Sequence, residues 1–401
     1  MLQNKPNNCF LIQRPSPGIL TGARWGLKGE TPVPNTPETT FAGRHVALLL
    51  PNWVGDAVMA TPAIRAIRKR YPRPAKLTGI MRPKMVELFA GCDWFDENWP
   101  WDPRGRLPLL ADLKLVLRMR ACPIDLLVLF PNSLHSALLG FLGGARERVG
   151  FVRDCRGWLL TRKVYPHRLG GRIVPRPMVE SYLQLAEAAG CPPEPLDLQL
   201  RCTAEEERLG EKIFQSIGFS GADPTVGLVY AGAQGPARRP PVEHYIELAR
   251  MIVFSTHWQV LLVAGPDERE VAVRICQAVS HPRVKTMVHW PSLGLSVAKA
   301  CLARCQVVIS PDSGPRHVAA ALGKPVITLY GPTTPIWGAN PTVKNIDLFV
   351  ELPCLGCLKP VCPYGHHRCM RELKPERVFQ AFCTLIGQGR GMPSEQKTIA
   401  A

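Results

Sequence analysis

Residues 45–71 read HVALLLPNWVGDAVMATPAIRAIRKRY, and this stretch decides the fold. Its first six residues are an apolar run of strand length, apolar on both faces, as a strand buried inside a parallel sheet requires. Turn-forming residues interrupt it between Pro51 and Asp56. Val58, Ile64, Ile67 and Tyr71 then recur at helical spacing until Pro72 stops the run. A strand, a loop and a helix in that order predict one unit of a parallel α/β sheet.

The same grammar extends outward from this unit. Strands are predicted at 77–80 and 126–130, and helices at 84–89, 133–142 and 178–189, the last closed by Gly190. The stretch CPPEP at 191–195 reads as a hinge region. A second cycle opens at 225–230 with TVGLVY. Helices at 242–254, 268–279, 296–303 and 316–322 alternate there with strands at 259–264, 306–310 and 326–330. The expectation is two doubly wound, Rossmann-like domains, 43–200 and 225–385, joined by a linker at 201–224 and facing each other across a cleft. Residues 1–42 carry no sustained period and read as a flexible extension, and 386–401 as a flexible tail. Ligands bind such sheets beyond the carboxyl ends of the strands, so the loops after strands should carry the chemistry.

Composition narrows the function. An apolar fraction of 46% excludes a chain disordered throughout. The strongest apolar run, 124–130, falls far short of the roughly 20 residues a membrane span needs. Residues 1–20 lack the apolar core of a secretory leader. The net charge is +17, with residues 43–200 more basic (+9) than 201–401 (+6). Such a field favours nucleotides, phosphorylated glycans or acidic lipid surfaces. No helix–turn–helix, zinc-finger or RNA-platform pattern is present, so no nucleic-acid partner is expected.

Four loops stand out. In PNWVGD, 51–56, Gly55 is expected to allow a tight turn, and Asp56 sits at a helix start. From the residue alone a helix cap is the readier reading of that carboxylate, and a base taking a proton from an acceptor hydroxyl is the functional one. In AGAQGPARR, 231–239, small residues permit close backbone approach, while Arg238 and Arg239 can grip an anion or simply be solvated. In SPDSGPRH, 310–317, the start of a helix offers unpaired N–H groups to a diphosphate, with Ser313 and Gly314 as donors and Asp312 near a sugar hydroxyl. Capping accounts for Asp312 and Ser313 without a ligand, and packing accounts for His317. A similar loop at 331–334, containing Thr333, makes a second polar wall. Fourth, Cys354, Cys357, Cys362 and Cys369, with His366 and His367 among them, have a spacing compatible with a structural zinc. Disulfides or reduced thiols are the alternatives.

The segments PNWVGDAVMATPAIRAIR, VYAGAQGPARRPPVEHYIELA and SPDSGPRHVAAALGKPVITLYGPTTP, in that order and spacing, resemble the ADP-heptose:lipopolysaccharide heptosyltransferases of glycosyltransferase family 9, above all the heptosyltransferase II type. The likeness covers about residues 43–385 and implies the two-Rossmann GT-B architecture. It implies an inverting transfer of heptose from ADP-heptose to a phosphorylated lipopolysaccharide inner-core acceptor, with Asp56 as general base. Arg238, Arg239, Asp312, Ser313, Gly314, His317 and Thr333 would bind the donor. Asn52, Trp53, Arg146, Arg148, Arg153, Arg156 and Lys163 would face the acceptor. No catalytic metal is expected. The enzyme would work in the cytoplasm, peripherally attached to the inner face of the membrane. Two departures stand out: the family's loop usually has lysine where this chain has Arg238, and tryptophan where it has Pro240. A related transferase using another nucleotide sugar, or a non-catalytic sugar-nucleotide binder, are the alternative readings.

Overall fold

The computed structural model describes residues 43–169, 171–219, 221–230 and 235–387. The extension predicted over 1–42, most of the predicted tail and the loop residues 231–234 lie outside that range.

The first sheet contains β1 (His45–Leu49), β2 (Lys76–Met81), β3 (Glu97–Pro100), β4 (Leu126–Leu129), β5 (Glu147–Phe151) and β6 (Arg162–Val164). A small hairpin, β7 (Arg168–Leu169) and β8 (Arg172–Ile173), follows. The second sheet contains β9 (Thr225–Val229), β10 (Gln259–Val263), β11 (Val284–Thr286), β12 (Val307–Pro311), β13 (Val326–Leu329) and β14 (Asn345–Leu348). Helices α1 (Val54–Met59), α2 (Thr61–Arg70), α3 (Pro83–Phe89), α4 (Pro108–Ala121), α5 (Leu134–Leu142) and α6 (Met178–Ala188) belong to the first half. In the second half α7 (Ala204–Ser216), α8 (Val242–Ser255), α9 (Arg269–Val279), α10 (Leu295–Arg304), α11 (Gly314–Ala321), α12 (Pro335–Gly338), α13 (Arg368–Arg371) and α14 (Pro375–Leu385) complete the chain.

Both six-stranded sheets are parallel and share one strand order, β3-β2-β1-β4-β5-β6 and β11-β10-β9-β12-β13-β14. This is the doubly wound order whose connections reverse between the first and fourth strands, opening a crevice at their carboxyl ends. The central strands β1, β4, β9 and β10 are buried along their whole length, which is why they read as unbroken apolar runs.

The structure adds elements to the expected set. The segment expected as a linker, 201–224, carries α7, whose start is fixed by a capping box: Thr203 accepts from the Glu206 N–H, and Glu206 accepts from the Thr203 N–H. The CPPEP stretch is clamped, because Glu194 holds both Arg65 and Lys69 of α2. Helix α4 and strands β3, β5, β6, β11 and β14 also lie outside the predicted elements, most being short, edge-lying or mixed in polarity.

The two halves meet along a dry seam. One apolar cluster runs from Val46 and Leu48 through Phe214 to Val318 and Val326 without a break. Within the seam the Lys299 ammonium is fully buried, paired with Glu206 at 2.8 Å, and donates to the carbonyls of Glu87 and Leu88 that end α3. Asn340 donates to the Leu196 carbonyl, and the Leu200 N–H to that of Ala321.

Removing one member of a buried pair leaves the other charge uncompensated, at about 3–5 kcal/mol. Lys299→Ala should therefore lower the thermal unfolding midpoint by many degrees, whereas Lys69→Ala, which removes an exposed partner of Glu194, should leave it nearly unchanged. Differential scanning calorimetry of the two variants checks this.

Candidate active site

The loop after β1 enters α1 through Trp53, which occupies the N-cap position in extended conformation and makes no capping bond with its side chain. Asp56 lies inside the first turn of the helix, so it is not the cap. Its carboxylate turns instead to α6, where the Tyr182 hydroxyl donates to Oδ1 at 3.2 Å. Burial drives the Asp56 carboxyl up to about 6, and the nearby Asp312 charge adds to the rise. The Tyr182 hydrogen bond and the Arg238 charge oppose it. Tyr182 itself is pushed up by burial and by Asp56, so it stays protonated and donates.

Gly55 was expected to serve a tight turn. Its backbone is not left-handed; the reason for glycine is close approach, since a Cβ there would stand 2.9 Å from the His317 ring. A Cβ on Gly314 would likewise meet Val54 at 3.0 Å. These two contacts let the N-termini of α1 and α11 abut, one from each half of the chain.

Across that junction lie the residues from the second sheet. Arg238 donates through Nη1 to the Asp312 backbone carbonyl at 2.7 Å and stands 3.6 Å from its carboxylate. The His317 Nε2 lies 3.7 Å from the other carboxylate oxygen. Burial alone would raise the Asp312 carboxyl, but the adjacent His317 ring, the charge on Arg316 and the Thr333 hydroxyl hold it well below the usual carboxylate range. Burial and Arg316 push His317 down, so its ring is neutral at neutral pH and accepts from the Arg316 guanidinium. Arg316 is buried and also donates to Thr328 and Tyr330. Ser313 occupies the N-cap of α11 without capping it, its hydroxyl paired with Ser310. The Thr333 hydroxyl is buried and faces the Asp312 carboxylate, whose ionised form it helps to stabilise.

Asp56, Arg238, Asp312, Ser313, Gly314 and His317 thus converge where the two crevices face each other. Arg239 is diverted, its guanidinium paired with Glu268 at 2.9 Å and lying over the Tyr230 ring. Asn52 is half-buried beside Asp56, and Trp53 is exposed with the Arg104 guanidinium 4.7 Å above it. Three residues of the expected acceptor-facing set have partners within the protein. Arg146 pairs with Asp125 at 2.9 Å, at the amino edge of the sheet, opposite Asp56. Arg148 gives its donors to the carbonyls of Leu159 and Ala145. Arg156 is fully buried, binding the carbonyls of Phe151, Pro131 and Ser133. Arg153 and Lys163 are exposed. Tyr182, Arg316 and Arg104 were not singled out from the sequence; the helical reading over 178–189 located Tyr182 without showing what it faced.

The four clustered cysteines are free thiols. Among the described residues no three His, Cys, Asp or Glu side chains are arranged as a metal ion would need, although the thiols of Cys354, Cys357 and Cys362 are near enough to help push Cys369 up. Instead Cys362 Sγ accepts the His367 N–H, and Cys369 packs against Gly331. The segment clasps both donor-side loops. Pro360 accepts from the Ala237 N–H, His367 Nε2 donates to the Ala237 carbonyl, and Leu358 donates to that of Pro332.

Residues 113–367 match the family model for glycosyltransferase family 9 (heptosyltransferase). The chain belongs to this family. Its sequence is 27% identical to lipopolysaccharide heptosyltransferase 2 of Escherichia coli (strain K12) over 86% of this chain and 99% of that one. It is 25% identical to lipooligosaccharide heptosyltransferase 2 of Haemophilus ducreyi, over 85% and 99%. The solved structure of E. coli ADP-heptose lps heptosyltransferase II superposes with a TM-score of 0.69 at 25% identity, over 86% and 99% of the two chains. E. coli heptosyltransferase WaaC with ADP-2-deoxy-2-fluoro heptose, at 19% identity and a TM-score of 0.62, shares the fold. The family member described here is a glycosyltransferase of GT-B architecture.

A raised carboxyl pKa is a stability statement. The folded state binds the Asp56 proton more tightly than the unfolded chain, so the ionised carboxylate costs stability that appears as pH climbs from about 4 to above about 6. The expected outcome is that Asp56→Asn melts higher than the wild type above that window, the gap closing toward its lower end. Melting curves across a pH series measure it.

Proposed function

We propose that this glycosyltransferase moves a heptose from ADP-heptose to a hydroxyl of a phosphorylated lipopolysaccharide inner-core acceptor, inverting the anomeric centre. The observation that carries the reading is the Asp56 carboxylate, desolvated to a pKa of about 6 and set opposite Arg238 and Asp312 of the facing half. A base poised just below neutral pH is ionised and still has the strength to take a proton during attack. The donor comes from the chain's likeness to the E. coli ADP-heptose enzyme, which spans nearly the whole of that protein. The acceptor comes from the lipopolysaccharide and lipooligosaccharide enzymes it resembles.

In the displacement, the acceptor oxygen bonds to the anomeric carbon as its proton passes to an Asp56 oxygen. The bond from that carbon to the phosphate oxygen breaks on the opposite face, and ADP leaves with the electron pair. Arg238 and the free N–H groups at the start of α11 stabilise the departing charge. Asp312, held ionised, fixes Arg238 in place. The buried Thr333 hydroxyl, beside Asp312, adds a polar group to the donor wall. Arg239, neutralised by Glu268, shapes the loop instead of meeting phosphate. Asn52, Trp53 and Arg104 line the acceptor side, with Arg153 at the same edge of the sheet. With a nucleotide-sugar donor and a lipid-anchored acceptor, the reaction in this reading takes place in the cytoplasm at the inner face of the membrane.

Turnover of ADP-heptose on a deacylated core acceptor tests this, with product configuration read by NMR. Asp56→Asn should lower kcat by about 10²–10⁴ while ADP-heptose binding persists. Undiminished turnover, or retained configuration, overturns the mechanism. The wild-type kcat/KM should fall as pH drops through about 6. In Tyr182→Phe the carboxylate loses a stabilising donor, so that acid limb should move to higher pH.

A further inference from the structure

Helix α4 is unusual for the outer layer of a doubly wound domain. Ala111, Leu115 and Met119 turn inward, and the last two are buried. Leu109, Leu113 and Leu117, at i, i+4 and i+8, line the opposite side and are exposed, Leu109 by 82%. An ordinary surface helix puts charges there. Helix α5 lies alongside α4: His135 meets Asp112 near the start of both, and Arg120 bonds the Leu142 carbonyl near the end. It too exposes a stripe, Leu138 and Phe141, the latter against Trp158, which is itself 72% exposed. Single exposed leucines are ordinary, but a band across two adjoining helices marks an interaction surface.

The charges around the band are one-sided. Arg104, Arg106, Lys114, Arg118 and Arg120 lie within 101–121, against two carboxylates. Those two are already engaged, Asp102 by Arg82, and Asp112 by Trp101 and His135. Both helices begin at the carboxyl edge of the first sheet, the edge that carries Asp56, and Arg104 reaches Trp53 beside it. Among the described residues no helix is long and apolar enough to cross a membrane.

We propose that the outer face of α4 and α5 lies on an anionic lipid bilayer, its leucines and Trp158 in the headgroup boundary and its arginines on the lipid phosphates. This goes beyond the transferase reading: the face adjoins the acceptor side only through Arg104, and its leucines, Arg106 and Lys114 bind neither donor nor acceptor. It places the mouth of the cleft at the lipid surface, where a lipid-anchored acceptor enters without leaving the bilayer.

Co-sedimentation with vesicles of phosphatidylethanolamine and phosphatidylglycerol, free of lipopolysaccharide and donor, tests the face independently of catalysis. The wild type should bind these and bind pure phosphatidylcholine far less. Leu109→Gln, Leu113→Gln and Leu117→Gln combined should reduce partitioning by about tenfold or more, since each loses apolar burial in the interface. Arg106→Glu with Lys114→Glu should reduce it by about tenfold or more through lost headgroup attraction. Circular dichroism and turnover on the deacylated acceptor should match the wild type in the leucine variant. No binding by the wild type, equal binding to phosphatidylcholine, or unaltered binding in both variants overturns the proposal. So does a wild-type dimer that the leucine variant converts to monomers, because the band would then be covered by a second copy.

Discussion

The architecture turns on one close approach, between the first turns of α1 and α11. Any side chain at Gly55 would strike the His317 ring, and one at Gly314 would press on Val54. With glycine at both positions, two helix N-termini from different halves of the chain come together. The seam behind them, with Lys299 locked between Glu206 and the end of α3, keeps them there. Asp56 is desolvated by this packing, and burial is the largest cause of its raised pKa. Its strength as a base is therefore a property of the assembled pair of domains. Water admitted between them would hydrate the carboxylate and return it toward an ordinary acid.

Two carboxylates sit close enough to feel one another, yet their environments drive them apart. Asp312 has His317, Arg316 and Arg238 around it and stays ionised; Asp56 is likewise desolvated, with the Tyr182 hydroxyl and a weaker pull from Arg238, and its pKa rises to about 6. Such a split assigns roles. The first is a fixed anion that orients cations, and the second is the group able to exchange a proton. The neutral His317 ring fits the same logic, because a second cation beside Arg316 would be costly in so buried a place.

What the sequence made legible follows from where each signal resides. Buried parallel strands such as 45–50 and 225–230 are apolar on both faces, so they announce themselves, and the residues just beyond them gave Asp56, Arg238, Asp312 and His317. Helix α7 was read as linker because its charged face dominates AEEERLGEKIFQS, although Thr203 and Glu206 held a capping signature. Helix α4 was hidden for the opposite reason, its leucines lying on both sides and blurring the helical period. Tyr182 was out of reach, being 126 residues from the carboxylate it bonds. The basic run at 146–172 did not disclose the partners of three of its arginines. Charge density does not reveal that Arg146 falls on the far edge of the sheet, or that Arg148 and Arg156 are spent on backbone carbonyls.

Arg238 replaces the lysine usual at this place in the family, and its geometry suggests how the exchange is accommodated. A lysine offers one ammonium, which must be shared between Asp312 and a donor phosphate. The planar guanidinium divides the work. Among the described residues Arg238 engages Asp312 through Nη1 alone, which in the proposed reaction leaves the rest of its fork for the donor phosphate. Where the family resemblance implies a tryptophan this chain has Pro240. The loop is held from the other side, by Pro360 and His367 of the cysteine-rich segment gripping both polar groups of Ala237. The tether from arginine to Asp312 and the clasp on Ala237 thus fix the same loop from two directions. The positive charge can then be placed accurately without the tryptophan.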